Sequence, residues 1–458
     1  MISHNHPVVK KALAEHPELF TKPSFVESAQ DLSRFGIFIP GKELLPQGFM
    51  KLYAEDFIVE EIDLSGKVLT IDHENVLAKD SAIDGEGDTI YATLVKCSLS
   101  TLEVVKDLAK QLNIPEKSIG YAGIKDKHAV TSQRISLRGA DESALRNVSS
   151  PFYFLKDVAR GKGVISMTNL SGNRFGIFLR MNPGETIALA DKPSEDFYNY
   201  FYMQRFGSPR LINYLWGFEL LRGNYEAAVR SVMFDVQPRE LPFISQLRNE
   251  AKTKKTWAEV KEVFDPILNI MHCEAPMLDR LISNPKDFTG ALNLIPDQVQ
   301  LWLYGLASLL FNEKISSFVQ KDMRPPTVLP FIFSFDRADI EAYRKELTAL
   351  GMFPPPFQNL KPLPFIRLAH RTVKTIETAR NIEVRNSEHG SFVSFSLPKG
   401  AYATTFLSHH ITIVGDALPE GMSKERIDGS AVSENPARAQ TIDIFRKLEV
   451  RADGGEAA

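Results

Sequence analysis

The feature that most constrains this chain is a change of texture that later reverses. Up to about Asn199 the pattern is mostly that of strands. Residues 51–62, KLYAEDFIVEEI, carry the β-branched and aromatic side chains of a strand. Residues 89–96 alternate, and 130–138 set Ile135 and Leu137 against Arg134, Ser136 and Arg138. Short strands are expected at 119–123, ending in a glycine turn, and at 175–180, with a further turn at 85–87. One helix is expected at 100–111, with Ser100 or Thr101 as its N-cap. From 211 to 319 the periodicity is helical, with long apolar stretches such as 301–311. Prolines then punctuate 325–364, and strand-like sequence returns at 382–384 and 392–397. A β-rich domain interrupted by a helical insertion, and completed near the C-terminus, accounts for all of this. The expected organisation is an N-terminal extension (1–45) with a helix at 8–18, a β-rich first part (46–198), a helical insertion (199–375), a second β part (376–418), and a polar, partly flexible tail (419–458).

The totals agree with two domains, because 458 residues exceed one ordinary core. Apolar content of 43% and charged content of 24% are those of a folded globular protein. Cys97 and Cys273 form no CxxC pair, which excludes a zinc ribbon or disulfide scaffold and fits a reducing cytoplasm. No apolar run approaches the ~18 residues of a membrane span, and the N-terminus lacks the apolar core of a secretory signal. The net charge of −3 argues against indiscriminate coating of nucleic acid. Between Tyr121 and Arg180, however, 10 Lys/Arg face 4 Asp/Glu, a local +6. A basic stripe on an acidic chain suits a selective polyanion site, and a solvated basic face accounts for it equally well.

The segment with most chemical content is 120–133, GYAGIKDKHAVTSQ. A glycine turn leads into Lys125-Asp126-Lys127-His128 between two expected strands. A carboxylate flanked by lysines is held ionised by its neighbours and can serve as nucleophile or base toward a sugar carbon. A solvated turn of mixed charge is the ordinary alternative.

This segment resembles the signature of the TruD family of pseudouridine synthases, [FY]-A-G-x-K-D-[KR]-x-A-V-T-x-Q. Other patches follow in the family's order. They are Glu55-Asp56-Phe57 in the opening strand, the Gly85-Glu86-Gly87 turn followed by Lys96 and Thr101, LSGNRFGIFLR at 170–180, and NYFYMQRFG at 199–207. Leu310-Phe311-Asn312 and FSLPKGAYATT at 395–405 complete the series. The resemblance covers roughly 51–412, sparsely over 215–370. Tyr202 stands where the family usually has glycine, Thr89 where histidine is common, and 307–309 lack an arginine often found there.

The resemblance implies an α+β fold: a pseudouridine synthase catalytic domain on a central mixed sheet, an inserted mostly helical TRUD domain, and an RNA cleft between them. It implies isomerisation of a uridine within RNA, by family habit position thirteen of a transfer RNA. Asp126 falls on the catalytic aspartate, and Phe57, Asn173 and Tyr402 on positions lining the target uridine. Lys51, Lys125, Lys127, His128, Gln133, Phe175 and Arg205 are supporting residues, for phosphate contact or for tuning Asp126. Each also has an ordinary reading: a core phenylalanine, a turn asparagine, a packed tyrosine, a solvated lysine. The carboxylate either attacks the anomeric carbon or removes the C2′ proton; the sequence leaves both open. No cofactor and no metal are expected, His409-His410 having no partner at metal spacing. The partner is RNA, by resemblance tRNA, with no membrane; the protein is expected in the cytoplasm, as a monomer. Two other readings are a non-catalytic RNA-binding or chaperone protein on the same scaffold, and a glycoside hydrolase using Glu55, Asp56 or Glu86.

Overall fold

The computed structural model describes residues 2, 5–79, 82–167, 169–332 and 334–448. The chain forms two compact units, Met1–Glu43 with Tyr198–Ile376, and Leu44–Phe197 with Glu377–Ala458.

The second unit is built on a mixed sheet. Its strands run in the spatial order Thr412–Gly415, Gln47–Phe49, Gly172–Arg180, Phe57–Ile62, Val130–Arg138, Thr89–Cys97 and Tyr153–Gly161. Gly390–Pro398 also pairs with Gly172–Arg180, and Ile376–Ser387 pairs with Gly390–Pro398. Phe57–Ile62 lies parallel to Val130–Arg138 and antiparallel to Gly172–Arg180. Register decides which side chains share a face. Val59 pairs with Thr131 and Phe175, Lys96 with Thr131, Glu61 with Asn173, and Asn173 with Leu397. Phe57, Glu61, Lys96, Gln133, Asn173 and Phe175 therefore all project from one face.

Part of that face is covered by the helix Thr101–Leu112, whose Val104, Val105, Leu108 and Leu112 pack on Ile90, Leu94, Ile135 and Leu137. The helix begins in a capping box of Ser100 and Glu103 and ends at Asn113 in the left-handed region. The Gly85-Glu86-Gly87 turn owes its glycines to close approach. At Gly85 and Gly87, with φ of +105° and +137°, a Cβ would fall 2.5 Å from the Arg160 carbonyl oxygen and 2.0 Å from that of Gly161.

The opposite face carries Ile58, Val95, Cys97, Val130, Phe178 and Phe392, and its cover is the C-terminal segment, through Ile427, Val432, Ile442 and Phe445. Residues 419–448 therefore do not trail away as the polar composition suggests. Asn435 caps the helix Pro436–Arg446, which buries Ile442 and Phe445 on one side. The rest of the expected tail, 449–458, lies outside the described residues. The expected strand at 51–62 also shortens. It begins only at Phe57, because the Tyr53 N–H donates to the Asp56 carboxylate at 3.0 Å and turns 54–56 into a 3-10 helix. The strand Tyr153–Gly161 is not among those expected: Tyr153 and Leu155 are buried, but Lys156 is buried beside them and the second half of the strand is only half-buried.

In the other unit helices dominate, the longest being Pro296–Val319. Residues from the N-terminal segment are part of it. Asn312 donates to the carbonyls of Phe35 and Phe201, at 2.9 and 2.8 Å, and accepts from the Phe201 N–H at 2.8 Å. Tyr202, one of the departures noted above, donates its hydroxyl proton to Glu27 at 2.5 Å, and Glu27 is paired with buried Lys42 at 2.7 Å. No helix among the described residues is long and apolar enough to cross a membrane.

Candidate active site

Asp126 stands in the loop between Ile119–Tyr121 and Val130–Arg138. The loop is pinned from the sheet below it. Buried Gln133 donates to the Gly123 carbonyl at 3.1 Å and accepts from the Thr101 hydroxyl at 2.9 Å. Thr101 in turn accepts the Lys125 N–H at 3.0 Å. Fully buried Lys96 donates to the backbone carbonyls of Asp126 and Leu99, both at 2.7 Å. The backbone of the loop is thus fixed without use of the Asp126 carboxylate.

That carboxylate is 43% exposed and accepts a hydrogen bond from Lys51 Nζ at 2.8 Å. Crowding by protein raises its pKa, but the Lys51 charge and hydrogen bond, with Lys96 behind them, outweigh this and hold it below the usual carboxylate value. Lys51 itself has φ +66° and places its ammonium 3.7 Å from the centre of the Phe57 ring. Burial pushes Lys96 down to about 8, against the pull of Asp126, Cys97 and Glu103 and with repulsion from Lys125.

The lysines beside Asp126 in sequence do not do what their adjacency suggests. Lys125 turns away to Glu61 at 3.0 Å and to Asn173 Oδ1 at 2.7 Å. Lys127 pairs with Glu103 at 2.8 Å, which with the Ser100 cap brings Glu103 down to about 2 despite some burial. Asp126 is held ionised by cations distant in sequence. An ammonium only donates, so Lys125 fixes the Asn173 amide with its oxygen toward Lys125 and its NH2 on the other side.

Phe57 is only 3% exposed, with Lys51 over it, and it meets Phe175 edge-on at 6.2 Å. Phe175 stacks on Phe395 at 5.5 Å. These rings form the floor of the cluster. Tyr402 is half-buried and N-caps the helix Ala403–Ser408, just beyond the Leu397–Asn173 pair. His128 is half-buried. Arg205 belongs to the helical unit, its guanidinium 5.1 Å from the Phe201 ring centre. Among the described residues no group of His, Cys, Asp and Glu is arranged to hold a metal ion.

Two members of the cluster, Lys96 and Glu61, are absent from the sequence-based site. A signal for both exists: each occupies a core-facing position in an alternating strand, after Ile90, Ala92 and Leu94 and after Phe57 and Val59. A charge there is either paired or functional.

Fold and cluster together define an α+β protein that presents one ionised carboxylate on a lysine-pinned loop. Residues 46–330 match the family model described as tRNA pseudouridine synthase D (TruD). The Methanococcus vannielii "Probable tRNA pseudouridine synthase D" is 34% identical over 287 residues, 61% of this chain and 71% of that protein. The protein of the same name from Methanosarcina mazei is 29% identical over 276 residues, 58% of each chain. A Methanosarcina mazei crystal structure solved under the name "Putative tRNA pseudouridine synthase D (TruD)" superposes with a TM-score of 0.61 at 20% identity, over 83% of this chain and 97% of that one. The chain belongs to the TruD family. It spans a little over half the length of several curated relatives, 58% of the Methanosarcina mazei protein and 56% of that from Methanococcoides burtonii.

Proposed function

We propose that this protein isomerises a specific uridine in RNA to pseudouridine, with Asp126 as the catalytic carboxylate. The observation that carries the reading is the accessible Asp126 carboxylate, kept charged by Lys51 at 2.8 Å on a loop pinned from beneath. The N-glycosidic bond breaks, the uracil turns, and its C5 bonds to the same sugar carbon, with the C5 proton passing to N1. No oxidant or energy source is required. Attack at the anomeric carbon and removal of the C2′ proton both need the ionised carboxylate.

The target base is extruded from the RNA, at a cost of a few kcal/mol. Asn173, with its oxygen turned to Lys125, presents its NH2 on the other side and so reads a carbonyl oxygen of the uracil. Tyr402 lines the base, and the Phe57–Phe175 floor keeps Lys51 in place. Lys127, His128 and Arg205 are assigned to the RNA backbone. The helical part, 199–375, is the inserted domain that grips the RNA, which by family habit is a tRNA at position thirteen. The protein acts in the cytoplasm as a monomer, without cofactor.

The test is tritium release from RNA labelled at uridine C5, with pseudouridine mapping of cellular RNA with and without the protein. Absence of release across a broad RNA panel would transfer the assignment to RNA binding alone. Two variants probe the geometry. In Lys51→Met the Asp126 pKa rises, so the acid limb of the kcat/KM profile moves to higher pH; an unmoved limb separates Lys51 from Asp126. In Asn173→Asp the donor to the base is lost, which lowers kcat/KM by roughly tenfold to a hundredfold, the worth of about 1–3 kcal/mol for an unmade hydrogen bond. An unchanged value removes Asn173 from base recognition.

A further inference from the structure

The back of the sheet holds a cluster of buried charges that this chemistry does not use. Glu55, Asp56 and Glu60 are almost wholly buried. Asp56 receives Arg180 in two hydrogen bonds, at 3.1 and 2.8 Å, and Arg180 also donates to the carbonyls of Ser423 and Glu425, at 2.9 and 2.6 Å. Arg426 meets Glu55 at 2.6 Å, and Arg438 meets Glu60 at 3.0 Å. Tyr53 donates its hydroxyl proton to the Lys424 carbonyl at 3.0 Å, with the Arg426 guanidinium 4.8 Å from its ring centre. Thr441 ties the helix to the Ile71 carbonyl at 2.7 Å. Every one of these C-terminal partners lies beyond the residues, 46–330, that match the family model.

The contacts of Lys424, Arg426 and Arg180 converge on 53–56, the turn between Lys51 and Phe57, while Arg438 and Thr441 fasten the following helix to Glu60 and Ile71 beside it. Lys51 holds φ +66°, a conformation that a side-chain-bearing residue adopts only when its surroundings impose it. Its ammonium spans Phe57 and Asp126. We propose that residues 423–446 are a positioning clamp: they hold 53–56 from behind, and so hold Lys51 over Phe57 and against the Asp126 carboxylate. The clamp extends the proposed activity, on which its kinetic test rests. Arg426 and Arg438 act through the turn and the strand and touch no substrate.

The test uses full-length Arg426→Met and Arg426→Lys. In the methionine variant RNA affinity stays within about twofold, while kcat falls at least about tenfold, since small displacements of a reacting group are costly. Its acid limb moves upward, as in Lys51→Met. The lysine variant restores the limb and most of the rate. A folded Arg426→Met with the wild-type limb and kcat overturns the clamp, because a purely structural role would lower stability alone. If Arg426→Met does not fold, Glu55→Gln combined with Arg426→Met removes both buried charges. That pair is expected to fold and still show the shifted limb, and a wild-type limb overturns the proposal. If the wild-type protein forms no pseudouridine, the functional reading fails and the clamp is read by amide hydrogen exchange at 51–56. Faster exchange in the variant supports it, and unchanged exchange overturns it.

Discussion

Replacing Asp126 with asparagine (Asp126→Asn) is expected to cut pseudouridine formation by at least about a thousandfold, the scale of losing a catalytic base or nucleophile. The fold should not notice. The loop is held through the Asp126 carbonyl by Lys96, and through Gly123 and Lys125 by Gln133 and Thr101. The amide oxygen of the variant still accepts from Lys51. RNA affinity should therefore stay within about twofold, so that the loss falls on kcat and not on binding. Tritium release and a direct binding measurement on the same RNA check both halves. A variant that retains full activity removes Asp126 from the chemistry.

The largest effect on stability is expected at Arg180. This side chain is fully buried, as is its partner Asp56, and it also satisfies two carbonyls of the C-terminal segment. Arg180→Met strands a buried carboxylate, which costs about 3–5 kcal/mol. Combining it with Asp56→Asn removes the stranded charge and should recover part of that. The probe matters, because Trp216, Trp257 and Trp302 all belong to the helical unit. Tryptophan fluorescence would report the wrong half, and circular dichroism of the sheet or hydrogen exchange in Phe57–Ile62 is the proper measure. A loss under about 1 kcal/mol would mean that Asp56 takes up a proton or reaches water.

Strands with clean alternation were legible as sequence, and Val130–Arg138 is the plainest case. The Ser100 cap was legible too, since hydroxyl, spacing and following periodicity agree. Local patterns failed where a distant partner decides. Asp56 turns 54–56 out of the strand through the Tyr53 N–H, but the charge that makes its burial tolerable, Arg180, lies far along the chain. The helix Pro436–Arg446 buries few apolar residues amid polar ones, and only the face it covers explains them. At the site, Asp126 stood out by its motif. Of its charge partners, Lys51 was legible only as one supporting residue among several, and Lys96 not as a site residue at all, because adjacency points to Lys125 and Lys127 while the fold supplies Lys51 and Lys96.

The two-piece construction of the sheet also bears on how the protein is made. When the ribosome has passed Pro398, the strands of the site exist, but Arg426 and Arg438 do not, and neither do the apolar residues that roof the back. A nascent chain at that stage carries Glu55 and Glu60 without those partners and leaves Ile58, Phe178 and Phe392 open to whatever is near. Domains tend to fold as units as they emerge, and exposed apolar surface at that stage invites aggregation. On the proposed function, activity would begin only after residues 423–446 are translated, and chaperones have a defined apolar face to shield until then.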